Sequence, residues 1–286
     1  MNHNKHDIST QRLGDLVTWR LYKSTWIFLE ESKEELLSSE EANVLLKERG
    51  LMVRNTYNFD TKEVTSFWFI VKDYLEDISE LSFSARRNIR RALRFYNIKK
   101  ININEFSEKA LPIINSAQKS YKVKSKVTSK KEFDEEIEQY REDNNKEFWI
   151  VERKTDNEAV AIAINTIKED SCEYDTMRCK PEALHDNSFP YHGLIYEMNR
   201  YYLGERMLKY INDGSRTVTE HSSFQDFLIH NFKFRKAYCK LKIHYKWWLS
   251  VVIKALFPFR NIIPIRNIKG ILKMEEYSRQ SQNIDL

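Results

Sequence analysis

Residues 147–180 read EFWIVERKTDNEAVAIAINTIKEDSCEYDTMRCK, and the fold turns on them. EFWIVER and AVAIAINTIK are dense in aromatic and β-branched residues and are parted by the turn KTDNE. The acidic turn EDS then leads into CEYDTMRCK (172–180). Three strands this close in sequence form an antiparallel meander, because parallel neighbours would need long crossovers.

Upstream of the meander, NIKKININEF (97–106) alternates apolar and polar residues as a half-buried strand does. SEKALPIINSAQKSY and SKKEFDEEIEQYRED follow as two surface helices, the second with the apolar stripe Phe133, Ile137 and Tyr140. Downstream, the loop PEALHDNSFP leads into the apolar helix YHGLIYEMNRYYLGERM. Then come the strand KYINDGS, the helix SSFQDFLIHNFKF and the closing strand RKAYCKLKIHYK. From Asn97 the order is β, α, α, β, β, β, α, β, α, β. Before it, WIFLEE (26–31), LMVRNTYNF and TSFWFIV read as strands. SSEEANVLLKERG (38–50) reads as a helix capped by Ser38 or Ser39 and closed by Gly50.

At 286 residues the chain can bury a sizeable core in one large or two small domains. A net charge of +5 is too mild to mark a nucleic-acid binder by itself. Six glycines without a GxGxxG or P-loop pattern argue against the usual dinucleotide and nucleoside-triphosphate enzymes. Cys172, Cys179 and Cys239 are odd in number and form no CxxC pair, which argues against a disulfide framework and a zinc ribbon and suits a reduced, cytoplasmic chain. MNHNKHDISTQRLG at the start lacks the apolar stretch of a secretory signal. His185, His192 and His221 supply no ligand pair at helix or hairpin spacing, so no metal is expected.

LSFSARRNIRRALRF (81–95) carries five arginines in nine residues. At 100° per residue Arg86, Arg87, Arg90, Arg91 and Arg94 fall within about 140° of one helical face. Ala85, Ile89, Ala92, Leu93 and Tyr96 lie opposite, and Ser82 or Ser84 can cap the start. This cationic comb either faces water, partly neutralised by Glu76, Asp77 and Glu80, or grips an anion: a nucleic acid or a small ligand's phosphates.

The element order from Asn97 to Lys246 resembles the GNAT acyltransferase fold: a mixed, mostly antiparallel sheet flanked by helices, splayed between its fourth and fifth strands to admit an acyl donor. Here those strands are CEYDTMRCK and KYINDGS. HNFKFRKAYCKLKIHY resembles the stretch in which a helix ends in a Gly-Phe-Arg-like turn, with Lys233 where glycine is usual. LSFSARRNIRRALRFYNIKK (81–100) is similar to the Ile-Arg-Lys-Ala segment of Fem-type transferases, which pair two GNAT-like units.

These resemblances imply a reduced GNAT-like N-terminal half (1–96), an acyltransferase domain (97–246) and a tail (247–286). They imply an N-acyltransferase acting on an amine of a cell-envelope or nucleotide-sugar precursor, a small-molecule or lipid-linked acceptor. The donor would be an acyl-coenzyme A such as acetyl-coenzyme A, or an aminoacyl-tRNA, so tRNA is a candidate partner. The Arg/Gln-x-x-Gly-x-Gly/Ala loop that holds coenzyme A in GNAT proteins is replaced by HDNSFPYHGLIYE, in which Gly193 stands alone. A non-catalytic descendant that binds a ligand or partner in the cleft is the alternative.

Near the implied cleft, Glu173, Asp175, Asp213 and His221 are the candidate catalytic groups. Glu173 and Asp175 share one strand face, which is either the cleft or the solvent side of the meander. Tyr191, His192, Gly193 and Arg216 are candidates for holding the donor, and Arg87, Arg91 and Ser215 for the substrate. NDGSRTVTEHSS (212–223) concentrates such chemistry in one loop, although Asp213-Gly214 also suits a tight turn and Ser222 and Ser223 a helix cap.

The tail WWLSVVIKALFPFRNIIPIRNIKGILKM (247–274) has five cations and no acid. Its apolar run is too short to span a bilayer, and Pro258 and Pro264 interrupt any long helix. It either lies on an anionic membrane surface, peripheral to the inner face, or packs on the domain or on a second protomer as a homodimer.

Overall fold

The computed structural model describes residues 10–12, 18–120, 126–218 and 223–282. Its elements in chain order begin with β1 (Thr10–Arg12), β2 (Thr18–Tyr22), β3 (Thr25–Phe28), α1 (Ser39–Glu48), β4 (Met52–Thr61), β5 (Phe67–Lys72), α2 (Phe83–Phe95) and β6 (Tyr96–Ile101). Next come α3 (Ile103–Ser120), α4 (Lys130–Glu142), β7 (Lys146–Arg153), β8 (Ala159–Ile167), β9 (Ser171–Cys179), α5 (Pro181–His185) and α6 (Pro190–Asn199). The last are β10 (Tyr210–Ser215), α7 (Ser223–Phe232), β11 (Arg235–Tyr245), α8 (Trp247–Leu256) and α9 (Arg266–Gln282). The fold is mixed α/β and its strands are mostly antiparallel, as the GNAT resemblance implied.

The chain forms two compact units interleaved in sequence. Of the described residues, the first contains 71–120, 126–214 and 225–235; the second contains 10–12, 18–70, 215–218, 223–224 and 236–282.

In the first unit the strands run in the order β10-β9-β8-β7-β6. The meander forms as its sequence demands, with Ile150 opposite Ile162 and Ala163 opposite Met177. Alternation sends Phe148, Ile150, Ile162 and Ile164 to one sheet face, against Phe106 and Ile113 of α3 and Phe133 and Ile137 of α4. Trp149 points to the other face and donates its indole N–H to Tyr202 Oη at 2.9 Å.

The strand expected over residues 97–106 stops at Ile101, and α3 begins two residues later. Asn102 causes the switch: its Oδ1 accepts from the N–H groups of Asn104 and Glu105, both at 3.0 Å, as an N-cap does. Similarly, WIFLEE keeps only its first half as strand, and a 3₁₀ turn takes over at Glu31–Lys33.

Helix α6 is the crossover that lets β9 and β10 run parallel. It is buried nearly all round, because α2 covers the side that the sheet does not. Gly193 makes this possible: a Cβ there would lie 2.6 Å from Ile98 Cδ1 and 2.9 Å from Ala92 Cβ.

The second unit orders its strands β1-β2-β3-β4-β11-β5. Helix α1, held by the Ser38–Glu41 capping box, crosses over between the parallel strands β3 and β4. Its Leu45 and Leu46 close a core with Trp19, Trp26 and Val53. Gly50 takes the left-handed φ of +79° expected of a residue closing that helix. Helix α9 satisfies part of β11 with side chains: Ser281 Oγ accepts from Leu241 N–H at 3.1 Å, and Ser278 Oγ accepts from Ile243 N–H at 3.2 Å.

All three cysteines are free and buried. Burial pushes the Cys179 thiol up to about 12, and the Cys172 and Cys239 thiols also well above their ordinary range.

Lys233, at the turn after α7, has a φ of +53°, the conformation for which glycine is the usual residue. Its exposed ion pair with Glu80 at 3.2 Å adds little. Lys233→Gly should therefore raise the unfolding free energy by about 0.5–1 kcal/mol, read from urea titration. Gly193→Ala should lower it by about 1–3 kcal/mol in the same assay, with Ile98→Ala in the same chain returning part of the loss.

Candidate functional site

The comb on α2 forms as its periodicity requires. Ser82 Oγ accepts from Ala85 N–H at 3.2 Å, and Ala85, Asn88, Ile89 and Ala92 are buried. The opposite face carries the five arginines around a hollow of about 510 Å³, framed by Phe83 and Phe95. Among the described residues none of the five forms an ion pair. The acids expected to neutralise them are engaged elsewhere. Glu76 holds the buried Lys72, Asp77 caps the 3₁₀ turn Ile78–Glu80, and Glu80 bonds Asp77 N–H and Lys233. Arg87, Arg90, Arg91 and Arg94 are exposed to solvent without an acid beside them among the described residues, and like charges a turn apart favour an anion between them.

One arginine is tied to the start of α6. Arg87 Nε and Nη2 lie 3.4 Å from Asn88 Oδ1, and Asn88 Nδ2 lies 3.2 Å from His192 Nε2. His192 sits among the rings of Phe189, Phe227 and Phe232. Burial pushes its pKa down to about 4, so the ring is neutral at pH 7. At the same helix start the N–H groups of His192 and Gly193 both turn to Phe189 O, at 3.0 and 3.4 Å. Gly193, occupied by its contact with α2, does not open a loop. Tyr191 is half-buried beside them.

Strands β9 and β10 pair parallel over three positions, Tyr210 with Ser171, Ile211 with Cys172 and Asn212 with Glu173. β9 continues to Cys179, whereas the last matched position on β10 is Asn212. Asp213 is the next residue. By strand alternation it shares the face of Cys172 and Tyr174, not that of Glu173 and Asp175.

The three carboxylates differ in how they are held. Glu173 pairs with Lys168 at 2.9 Å, while Asp175 pairs with Lys146 at 2.7 Å and accepts from the Thr166 hydroxyl. Asp213 has no hydrogen bond or ion pair among the described residues. Burial, helped by the Glu173 carboxylate, lifts its pKa from the ordinary 3.8 to about 8. Behind it, Tyr174 Oη donates to Asn199 Oδ1 at 2.9 Å, and Tyr202, on a π-helical turn following α6, packs edge-on against Trp149 and tilted against Tyr174.

Ser215 and Arg216 belong to the second unit. Ser215 Oγ accepts from Arg54 Nη1 at 3.1 Å. The Arg216 guanidinium is sandwiched between the rings of Trp68 and Tyr277, 4.0 and 4.3 Å from their centroids, and donates to Ser66 O at 2.6 Å. Within that unit Arg216 fastens α9. His221 lies outside the described residues. Among the described residues no group of three or more His, Cys, Asp or Glu is placed to hold a metal ion. Asn88 and Tyr174 also belong to this arrangement, and nothing in the one-dimensional pattern marks them.

No protein-family model matches the chain, and no curated protein matches its sequence. Solved structures do resemble it in shape. The crystal structure of FemX superposes with a TM-score of 0.49 at 10% identity, covering 77% of this chain and 81% of that one. L-PGS from Bacillus licheniformis gives 0.48 at 10% identity, covering 82% and 83%. The PaiA N-acetyltransferase from Thermoplasma acidophilum, in complex with coenzyme A, gives 0.30 at 18% identity over 40% of this chain and 74% of that one. Each of these three scores is below 0.5, so the functional reading rests on the site's own geometry.

The Asp213 carboxyl keeps its proton in the folded chain up to about pH 8 and loses it near pH 4 when unfolded. Stability from this group therefore falls as pH rises between those values. Asp213→Asn should leave Tm unchanged at pH 4 and raise it by a few degrees, about 2–4 °C, at pH 8.

Proposed function

We propose that the chain is an N-acyltransferase of the GNAT/Fem-like type, moving an acyl or aminoacyl group from an anionic donor to an amine. The observation that carries this reading is Asp213: an unpaired carboxyl where β9–β10 pairing ends, with a pKa lifted to about 8. An amine is protonated at neutral pH and attacks only after losing a proton; the ionised fraction of the Asp213 carboxyl, which grows as pH rises toward 8, is the form that accepts it, so the rate rises with pH over that range. The C–N bond forms at the acyl carbonyl as the bond to the donor's leaving group breaks. Asp213 takes the amine proton and returns it to the leaving group.

The start of α6 fits coenzyme A poorly. The cradle in GNAT proteins uses a glycine-rich loop with open N–H groups, whereas here Gly193 packs against Ala92 and two of the first N–H groups are bonded to Phe189 O. The guanidiniums of α2, Arg87 and Arg91 among them, have no carboxylate partner among the described residues and supply anion contacts instead, which favours a donor carrying several phosphates such as an aminoacyl-tRNA. The acceptor is an amine of a small or lipid-linked envelope precursor. The same closed helix start is what a cleft that only binds would show, and turnover separates the two.

The test is transfer of labelled acyl groups from acetyl-coenzyme A and from aminoacylated tRNA to a panel of amines, lipid-linked ones included. We expect transfer from the tRNA, a loss of about 10²-fold in kcat for Asp213→Asn, and a raised donor KM with kcat kept for Arg87→Glu with Arg91→Glu. Ligand binding without turnover from either donor overturns the enzyme reading, as does an Asp213→Asn variant as fast as the native chain.

A further inference from the structure

Helix α8 buries one side only. Ile253 is 3% exposed, and with Ser250 it lines a hollow against Ile243 and Tyr245 of β11 and Glu275 and Ser278 of α9. At 100° per residue, Trp247, Val251, Ala255, Trp248 and Val252 occupy the opposite arc of about 140°, with Lys254 at its edge, where it also borders the hollow. Trp247 is 81% and Val251 61% exposed. The turn that follows bares Phe259, Ile262 and Ile265. A soluble surface scatters such residues singly; here seven large apolar side chains fall within residues 247–265.

Charge says what covers them. Residues 247–274 contain no acid. Arg260 and Lys273 are taken up by Glu276, but Lys246, Lys254 and Lys269 have no carboxylate partner among the described residues. Indole rings with free ammonium groups beside them match the boundary of an anionic bilayer, where rings lie at headgroup depth and cations meet lipid phosphate. No helix among the described residues is long and apolar enough to cross a membrane, so the surface would lie on the bilayer.

We infer that the exposed face of α8 and the turn Phe257–Ile265 form a docking surface for anionic lipid bilayers. The inference does not rest on the acyltransferase reading, since it concerns a surface of the second unit and needs no turnover. It also accounts for both fates of the tail: α9 packs on its unit through Tyr277 and Ser281, and α8 is left to the interface.

Co-sedimentation of the full chain with vesicles tests it, using phosphatidylcholine alone and phosphatidylcholine mixed with phosphatidylglycerol, at low and high salt. The chain should pellet with the anionic vesicles, release in high salt and show a blue shift of tryptophan emission. Trp247→Ser with Trp248→Ser, and separately Lys254→Glu with Lys269→Glu, should each weaken partition by more than about tenfold with Tm unchanged. No pelleting, pelleting that both variants retain, or a dimer in solution that the tryptophan variant dissociates without any vesicle binding overturns the inference.

Discussion

The approach of α6 to α2 at Gly193 is the contact on which the first unit's site depends. Because no side chain stands between Gly193 and Ala92, α2 packs closely on α6, burying Ala85, Ile89 and Ala92. Arg87, Arg90, Arg91 and Arg94 are then left exposed on the outward side, while Asn88 turns inward to meet His192. The far end of α6 is fixed too, where Asn199 receives the Tyr174 hydroxyl from β9. A single glycine thus sets how the comb, the neutral histidine and the splayed strand are held together.

The splay follows from the same crossover. A parallel pair needs a helix to bring the chain back, and here that helix is wedged between the sheet and α2. Pairing lasts three residues, after which β9 carries on without β10 beside it. Asp213 is the first β10 residue past the matched positions, and it lacks the lysine partners that hold Glu173 and Asp175. Its perturbed carboxyl is therefore a product of where the strands part. The other two acids are held in ion pairs with Lys168 and Lys146.

Much of this was legible along the chain. The meander and the arginine helix with its serine cap follow from local rules of periodicity, capping and turn chemistry, and the odd conformation at Lys233 from the resemblance that puts glycine there. What was not legible is tertiary. Arg216 sits in a loop that looks rich in chemistry, but its partners Trp68 and Tyr277 come from distant segments and convert it to a clasp for α9. Gly193 looked like a remnant of a phosphate loop, and only the distance to Ala92 reveals a packing role. Asp213 and Asp175 are indistinguishable by residue type; Lys146 and Thr166 bond the one, and among the described residues no hydrogen bond or ion pair holds the other.

The buried cysteines give the molecule a chemically silent surface. Thiols that sit in apolar surroundings and hold their protons are poor nucleophiles toward maleimides or disulfide reagents while the fold is intact. The native chain is thus its own blank for site-directed probes. One cysteine introduced at an exposed position of α2 or α8 would carry a spin label or fluorophore alone, and could report on each surface separately without removing a residue from the core.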